Sequence, residues 1–169
     1  MKDNIILIGF MGSGKTSVGI KLSYRLKRTM IDTDKWIEQK QKMTVSEIFA
    51  SLGEEEFRRM ETQCLKKLLD LADGQIISAG GGLPLREENH QLLRQLGKVV
   101  YLKADPETVY ERLKSDSTRP LLQVADPKER IKTLLFQREP VYEACADMIV
   151  DVSGKSFDEI LDSILINIM

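Results

Sequence analysis

Residues 4–16 read Asn-Ile-Ile-Leu-Ile-Gly-Phe-Met-Gly-Ser-Gly-Lys-Thr, and this stretch decides the fold. Every side chain from Ile5 to Ile8 is apolar, the pattern of a strand covered on both faces in a parallel sheet. Gly9 to Thr16, GFMGSGKT, satisfies GxxxxGK[ST] in full. Glycines let such a loop curl until successive N–H groups point at one anion, an approach that a Cβ would obstruct. The helix that follows presents free N–H groups and a positive dipole end to the phosphates. Lys15 is placed to neutralise phosphate oxygens, and the Thr16 hydroxyl to ligate Mg²⁺. The expected nucleotide set is therefore Gly12, Ser13, Gly14, Lys15, Thr16 and Ser17. No NKxD stretch is present to read guanine, which favours ATP.

Outward from this loop, short apolar runs alternate with helical patterns. Gln75 to Ala79, Lys98 to Leu102 and Met148 to Asp151 read as further strands, with a shorter one at Met30 to Thr33. Helix starts are signalled by the capping-box pairs Thr44/Glu47 and Ser156/Glu159, and by Asp105-Pro106 and Asp126-Pro127. Phe57, Met60, Cys64, Leu65 and Leu68 recur at helical spacing, which makes Cys64 a core residue. The alternation predicts an α/β fold: five strands in a parallel sheet flanked by helices, as one domain over residues 1–169. Ser115 to Ala125, SDSTRPLLQVA, is less regular, and a loop of that length between well-signalled helices reads as a mobile lid over about 112–125.

The 25 basic residues are balanced by 26 acidic ones, a net charge of −1, which excludes the basic excess of a general nucleic-acid binder. Cys64 and Cys145 belong to no metal-binding cluster and suggest a reducing, cytoplasmic home. The apolar runs are too short for a membrane span, and Ile5 to Ile8 too short for a signal-peptide core. His90, the only histidine, lies in a polar helical stretch and is expected to be solvated.

Six of the 11 glycines fall in two places: the loop above, and Gly80–Gly81–Gly82 after the third strand. Three glycines at the carboxyl end of a strand leave room for a ligand, in the region where open parallel sheets bind them. Asp32-Thr33-Asp34 ends the second strand; in a continued strand the two carboxylates face the same way. One would then hold Mg²⁺ through water and the other a substrate hydroxyl, unless one of them caps a helix starting near Lys35. Trp36 is expected to pack rather than react.

With these pieces in place, the chain resembles the shikimate kinases, small P-loop kinases of the nucleoside-monophosphate-kinase type. The resemblance runs from Asn4 to about Asp151 and rests on GFMGSGKTSVG, DTD, GEEEFRRME, SAGGG, STRPLL and REPVYEACAD in that order. It implies a three-layer P-loop fold and transfer of phosphate from ATP to the 3-hydroxyl of shikimate. It further implies that Asp34 holds the ring hydroxyls, Arg58 and Arg138 the carboxylate, and that Gly80–Gly81–Gly82 lies along the ring. A helical segment over about 33–61 would carry the shikimate site. Arg119 matches the lid arginine that reaches the phosphates, so the implied catalytic set is Lys15, Asp34 and Arg119. Asp32 matches the position that holds Mg²⁺ through water, alongside Thr16.

Physical chemistry agrees with these roles, because a cleft binding a monocarboxylate favours the planar fork of arginine over lysine. Arg112 and Lys155 are weaker candidates for the nucleotide, since the segment near Ser153 to Ser156 is less distinctive. Arg59 reads as a solvated neighbour of Arg58. Ser17 stands where the family often has a second threonine. Small-molecule partners, no nucleic acid, no membrane and a monomer complete the reading. The alternatives are a related kinase of the gluconate type, or a catalytically inactive binding protein of the same fold.

Overall fold

A computed structural model describes residues 2–114 and 124–168. Five strands form one parallel sheet: β1 (Asn4–Ile8), β2 (Met30–Asp32), β3 (Ile76–Ser78), β4 (Gly97–Lys103) and β5 (Met148–Asp151). Their order across the sheet is β2-β3-β1-β4-β5, so the strand that opens the chain is central. All five of its residues are buried, as the apolar run Ile5 to Ile8 requires of four of them. Asn4 starts it from a buried position. Its amide donates to the carbonyls of Ala72 and Leu96 at 3.2 and 2.7 Å and accepts from Gln75 N–H at 2.9 Å, tying β1 to the segments that enter β3 and β4.

Among the described residues the helices are α1 (Lys15–Leu26), α2 (Thr33–Gln41), α3 (Val45–Leu52), α4 (Glu54–Leu71), α5 (Glu87–Leu96), α6 (Pro106–Leu113), α7 (Pro127–Cys145) and α8 (Phe157–Ile168). The predicted start signals act as caps. Thr44 accepts from Glu47 N–H, Asp105 from Thr108 N–H and Asp126 from Glu129 N–H. Ser156 and Glu159 bond each other reciprocally. Cys64 and Cys145 are buried free thiols, and the segment 33–61 is helical almost throughout.

One open alternative is decided, and three expectations need correction or restriction. The extended conformation stops at Asp32, which caps α2 by accepting from Lys35 N–H at 3.2 Å; Asp34 already lies in the first helical turn. The two carboxylates are therefore not set side by side on one strand face, because the cap turns the chain between them. His90 is half-buried rather than solvated: its Nε2 lies 2.6 Å from the Pro84 carbonyl, where the 3-10 turn Leu83–Leu85 folds back on α5. The expected lid begins inside α6 at Arg112 and continues into residues outside the described ones, Arg119 among them. Finally, no helix among the described residues is long and apolar enough to cross a membrane.

Candidate active site

The loop after β1 enters α1 through Gly12 and Gly14, whose φ values of 79° and 97° lie in the left-handed region that glycine occupies without strain. Gly14 is also pressed from outside, since a Cβ there would run into the Arg112 guanidinium. Lys15 reaches back along the loop, and its Nζ donates to the carbonyls of Gly9 at 2.7 Å and Phe10 at 3.1 Å. Its charge is thus held at the concave side of the loop. Thr16 and Ser17 are exposed at the start of α1, while Ser13 is buried. Arg112 arrives from α6, 3.5 Å from the Gly12 carbonyl and 5.9 Å above the Phe157 ring. Lys155, by contrast, stands on an exposed turn after β5, where its backbone bonds Val152.

Beside this loop, at the carboxyl end of β3, lies the glycine triplet. A Cβ on Gly81 would be 3.5 Å from Met11 N, so the triplet abuts the phosphate loop directly. Its outer glycines are required by side chains. A Cβ on Gly80 would sit 2.7 Å from Asp34 Oδ1 and 3.1 Å from Glu61 Oε2, and one on Gly82 would overlap the Arg58 guanidinium. Gly80 N–H is fixed by the Thr33 hydroxyl at 3.0 Å, and the Gly81 carbonyl accepts from Tyr142 Oη–H at 2.6 Å. Helices α2, α4 and α7 thereby deliver Asp34, Arg58 and Tyr142 to one strand end. Arg138 lies one turn before Tyr142 on α7, with its guanidinium 5.4 Å above the Phe10 ring of the phosphate loop.

Charge is concentrated here. Arg58 donates to Glu61 at 2.7 Å and to Glu54 at 3.2 Å. Burial works against its charge, but the two carboxylates outweigh burial and raise its pKa. Glu61 has a side chain only 1% exposed. Burial, opposed by Arg58 and reinforced by Asp34 and Glu54, pushes its carboxyl up to about 7. Arg59 is exposed, as a solvated neighbour should be. Burial also raises the Tyr142 hydroxyl, with Arg138 opposing.

Glu61 and Tyr142 are two site residues to which the sequence reading assigned no role. Each stood inside a quoted motif, and each lies one helical turn from a named arginine: Glu61 at i+3 from Arg58, Tyr142 at i+4 from Arg138. That spacing was the available signal.

Residues 11–169 match the family model described as Shikimate kinase. The chain belongs to the shikimate kinase family. The shikimate kinase of Thermodesulfovibrio yellowstonii is 44% identical over 162 residues, covering 96% of this chain and 92% of that protein. The shikimate kinase of Pelotomaculum thermopropionicum is 45% identical over 162 residues, with coverages of 96% and 93%. Among solved structures, shikimate kinase from Acinetobacter baumannii in complex with shikimate superposes with a TM-score of 0.92 at 36% identity, over 99% of this chain and 93% of that one. A gluconokinase from Sinorhizobium meliloti reaches a TM-score of 0.62 at 17% identity, which shows a shared fold. As a shikimate kinase the chain is an ATP-using phosphotransferase of aromatic amino-acid biosynthesis.

Proposed function

We propose that the chain transfers the γ-phosphoryl group of ATP to the 3-hydroxyl of shikimate, with Asp34, Arg58, Arg138 and the glycine triplet holding the acceptor. One observation carries this assignment: the triplet touches the phosphate loop on one side and Asp34 and Arg58 on the other. An acceptor lying along Gly80–Gly82 has its hydroxyls toward Asp34 and its carboxylate toward Arg58, next to the loop that cradles the donor. Phosphoryl transfer asks mainly for positioning and for positive charge around the equatorial oxygens. Asp34 orients the attacking hydroxyl and accepts its proton. Lys15 and the N–H groups at the start of α1 stabilise the phosphates, and Arg112 flanks them. Arg119 on the lid is assigned the same duty from the resemblance alone, since it lies outside the described residues.

The donor set fits Mg²⁺ held chiefly by nucleotide and water. Among the described residues no three metal-ligating side chains converge, as a protein-only cage would need. Thr16 is exposed beside Lys15, and Asp32 uses Oδ1 for its cap to α2, leaving Oδ2 for a water. When bound, the ion would neutralise charge developing between the β- and γ-phosphates. A monomeric domain spanning 1–169, with its lid over about 112–125, and a cytoplasmic location with two free thiols complete the proposal.

A coupled ADP-release assay tests it. Shikimate should support turnover, while gluconate and nucleoside monophosphates should leave ADP release at its background rate. Shikimate-independent ADP release, equal with all acceptors, would overturn the assignment. Replacing Arg138 with Ala, or Arg58 with Lys, should raise the KM for shikimate by roughly tenfold to a hundredfold, the worth of one charge-assisted pair. Arg58→Lys keeps a cation against Glu61 and removes only the planar fork. ATP affinity should hold in both variants, and an unchanged shikimate KM in both would refute the carboxylate assignment.

A further inference from the structure

Glu61 lies in α4 beneath the acceptor site, and its two carboxylate oxygens have different surroundings. Oε1 accepts from Arg58 at 2.7 Å. Oε2 is buried and has no hydrogen-bond partner among the described residues. It faces the point where a Cβ on Gly80 would sit, as does Asp34 Oδ1, so two carboxylates converge on one glycine. A buried anion without full hydrogen bonding is costly, and Arg58 is the cation that offsets it. Glu54, the other partner of Arg58, is two-thirds exposed and sits at the rim, where an incoming anion can take its place.

A carboxylate ligand at Arg58 therefore has two effects on Glu61. It competes for the guanidinium that stabilises the Glu61 anion, and it brings a further negative charge into a low-dielectric site already holding Asp34. Both effects favour the neutral acid. We propose that Glu61 takes up a proton from solvent when a carboxylate ligand binds at Arg58 and returns it when the ligand leaves. Its unpartnered Oε2 is the atom that carries the proton, which turns that atom from an orphaned acceptor into a donor on the side facing Asp34. Arg58 is then freed to serve the ligand without stranding a buried charge.

The neighbours that could take this role instead are few. On α4 they are Glu54, Arg58 and Cys64; from α2 comes Asp34, and from α7 Tyr142, with Arg138 beside it. Glu54 is two-thirds exposed, the Cys64 thiol is pushed up to about 12 by burial, and the Tyr142 hydroxyl is also raised, so both of the latter stay protonated. The free Glu61 carboxyl, at about 7, is half-ionised in neutral solution and has a proton to gain there.

The inference rests on the acceptor site proposed above. It is tested by calorimetric titration of the whole protein with shikimate at pH 7, in MOPS, HEPES and Tris, whose ionisation heats differ. Net uptake of about half a proton is expected at pH 7, fading toward zero below pH 6, where Glu61 is already neutral. Affinity should correspondingly weaken as pH rises from 6 to 8, by at most about tenfold per pH unit. Glu61→Gln, which can still accept from Arg58, should bind shikimate with no buffer-dependent heat. Binding heats in the wild-type protein that are identical across buffers at pH 7 would overturn the proposal, and so would undiminished uptake in Glu61→Gln. The wild-type result decides the matter even if the variant does not fold. No shikimate binding in any buffer would instead remove the acceptor assignment on which the inference stands.

Discussion

Lys15→Met should lower kcat by about 10³-fold in the ADP-release assay while leaving the far-ultraviolet circular dichroism of the protein unchanged. The methionine keeps the stem and removes the ammonium. In the structure that ammonium is held by the carbonyls of Gly9 and Phe10, at the loop's concave side, where the phosphates of a bound nucleotide would lie. Its contribution grows as charge shifts toward the bridging oxygen of the leaving group, so its loss falls on kcat more than on nucleotide binding. The cost to the fold should be small. Loop curvature is set by Gly12 and Gly14, and the hydrogen bonds to Gly9 and Phe10 are worth about 1 kcal/mol each. Turnover within tenfold of wild type would show that Lys15 does not act on the transferring group. A variant that is inactive because it is unfolded would be recognised by its circular dichroism.

What could be read from the sequence, and what could not, divides along physical lines. Local signals carried through. The apolar run of β1 gave a strand buried on both faces, and Thr44, Asp105, Asp126 and Ser156 each cap the helix they announced. These depend on neighbours a few residues away. The order β2-β3-β1-β4-β5 depends on pairings between distant segments, and no residue pattern declared it. Asp32-Thr33-Asp34 left two readings open for the same local reason: a strand end and a helix cap both suit an Asp, and the bond to Lys35 N–H decides for the cap. The glycine triplet was placed correctly at a strand end. Its reason was half visible, because space for a ligand is a local idea, whereas the approach of Arg58 to Gly82 and of Asp34 to Gly80 brings together residues far apart in the sequence. Glu61 was hidden more deeply. A glutamate on a charged helix normally faces water, and only the packing of α2 against α4 shows that this one is buried with Arg58 as its partner.

Asp34→Asn should lower kcat for shikimate phosphorylation by about 10²- to 10³-fold, with ATP binding unaltered. The lower half of the range expected for a positioned base is appropriate, because a loose phosphoryl-transfer transition state draws little on proton removal until late. Asn keeps the volume of Asp beside Gly80, where a larger side chain would collide with the backbone. It also leaves the α2 cap untouched, since that is made by Asp32. The variant therefore isolates the charge of the carboxylate. Removing that charge has a second consequence at Glu61, whose pKa is raised in part by Asp34; without it the Glu61 carboxyl should fall from about 7 toward its ordinary range. The two roles separate by pH. Loss of orientation and of the proton acceptor lowers kcat at every pH, whereas the change at Glu61 shifts the pH dependence of the KM for shikimate toward acid. Wild-type kcat in Asp34→Asn would exclude Asp34 from the reaction. A lowered kcat with an unshifted KM profile would keep Asp34 at the hydroxyl and break its electrostatic link to Glu61.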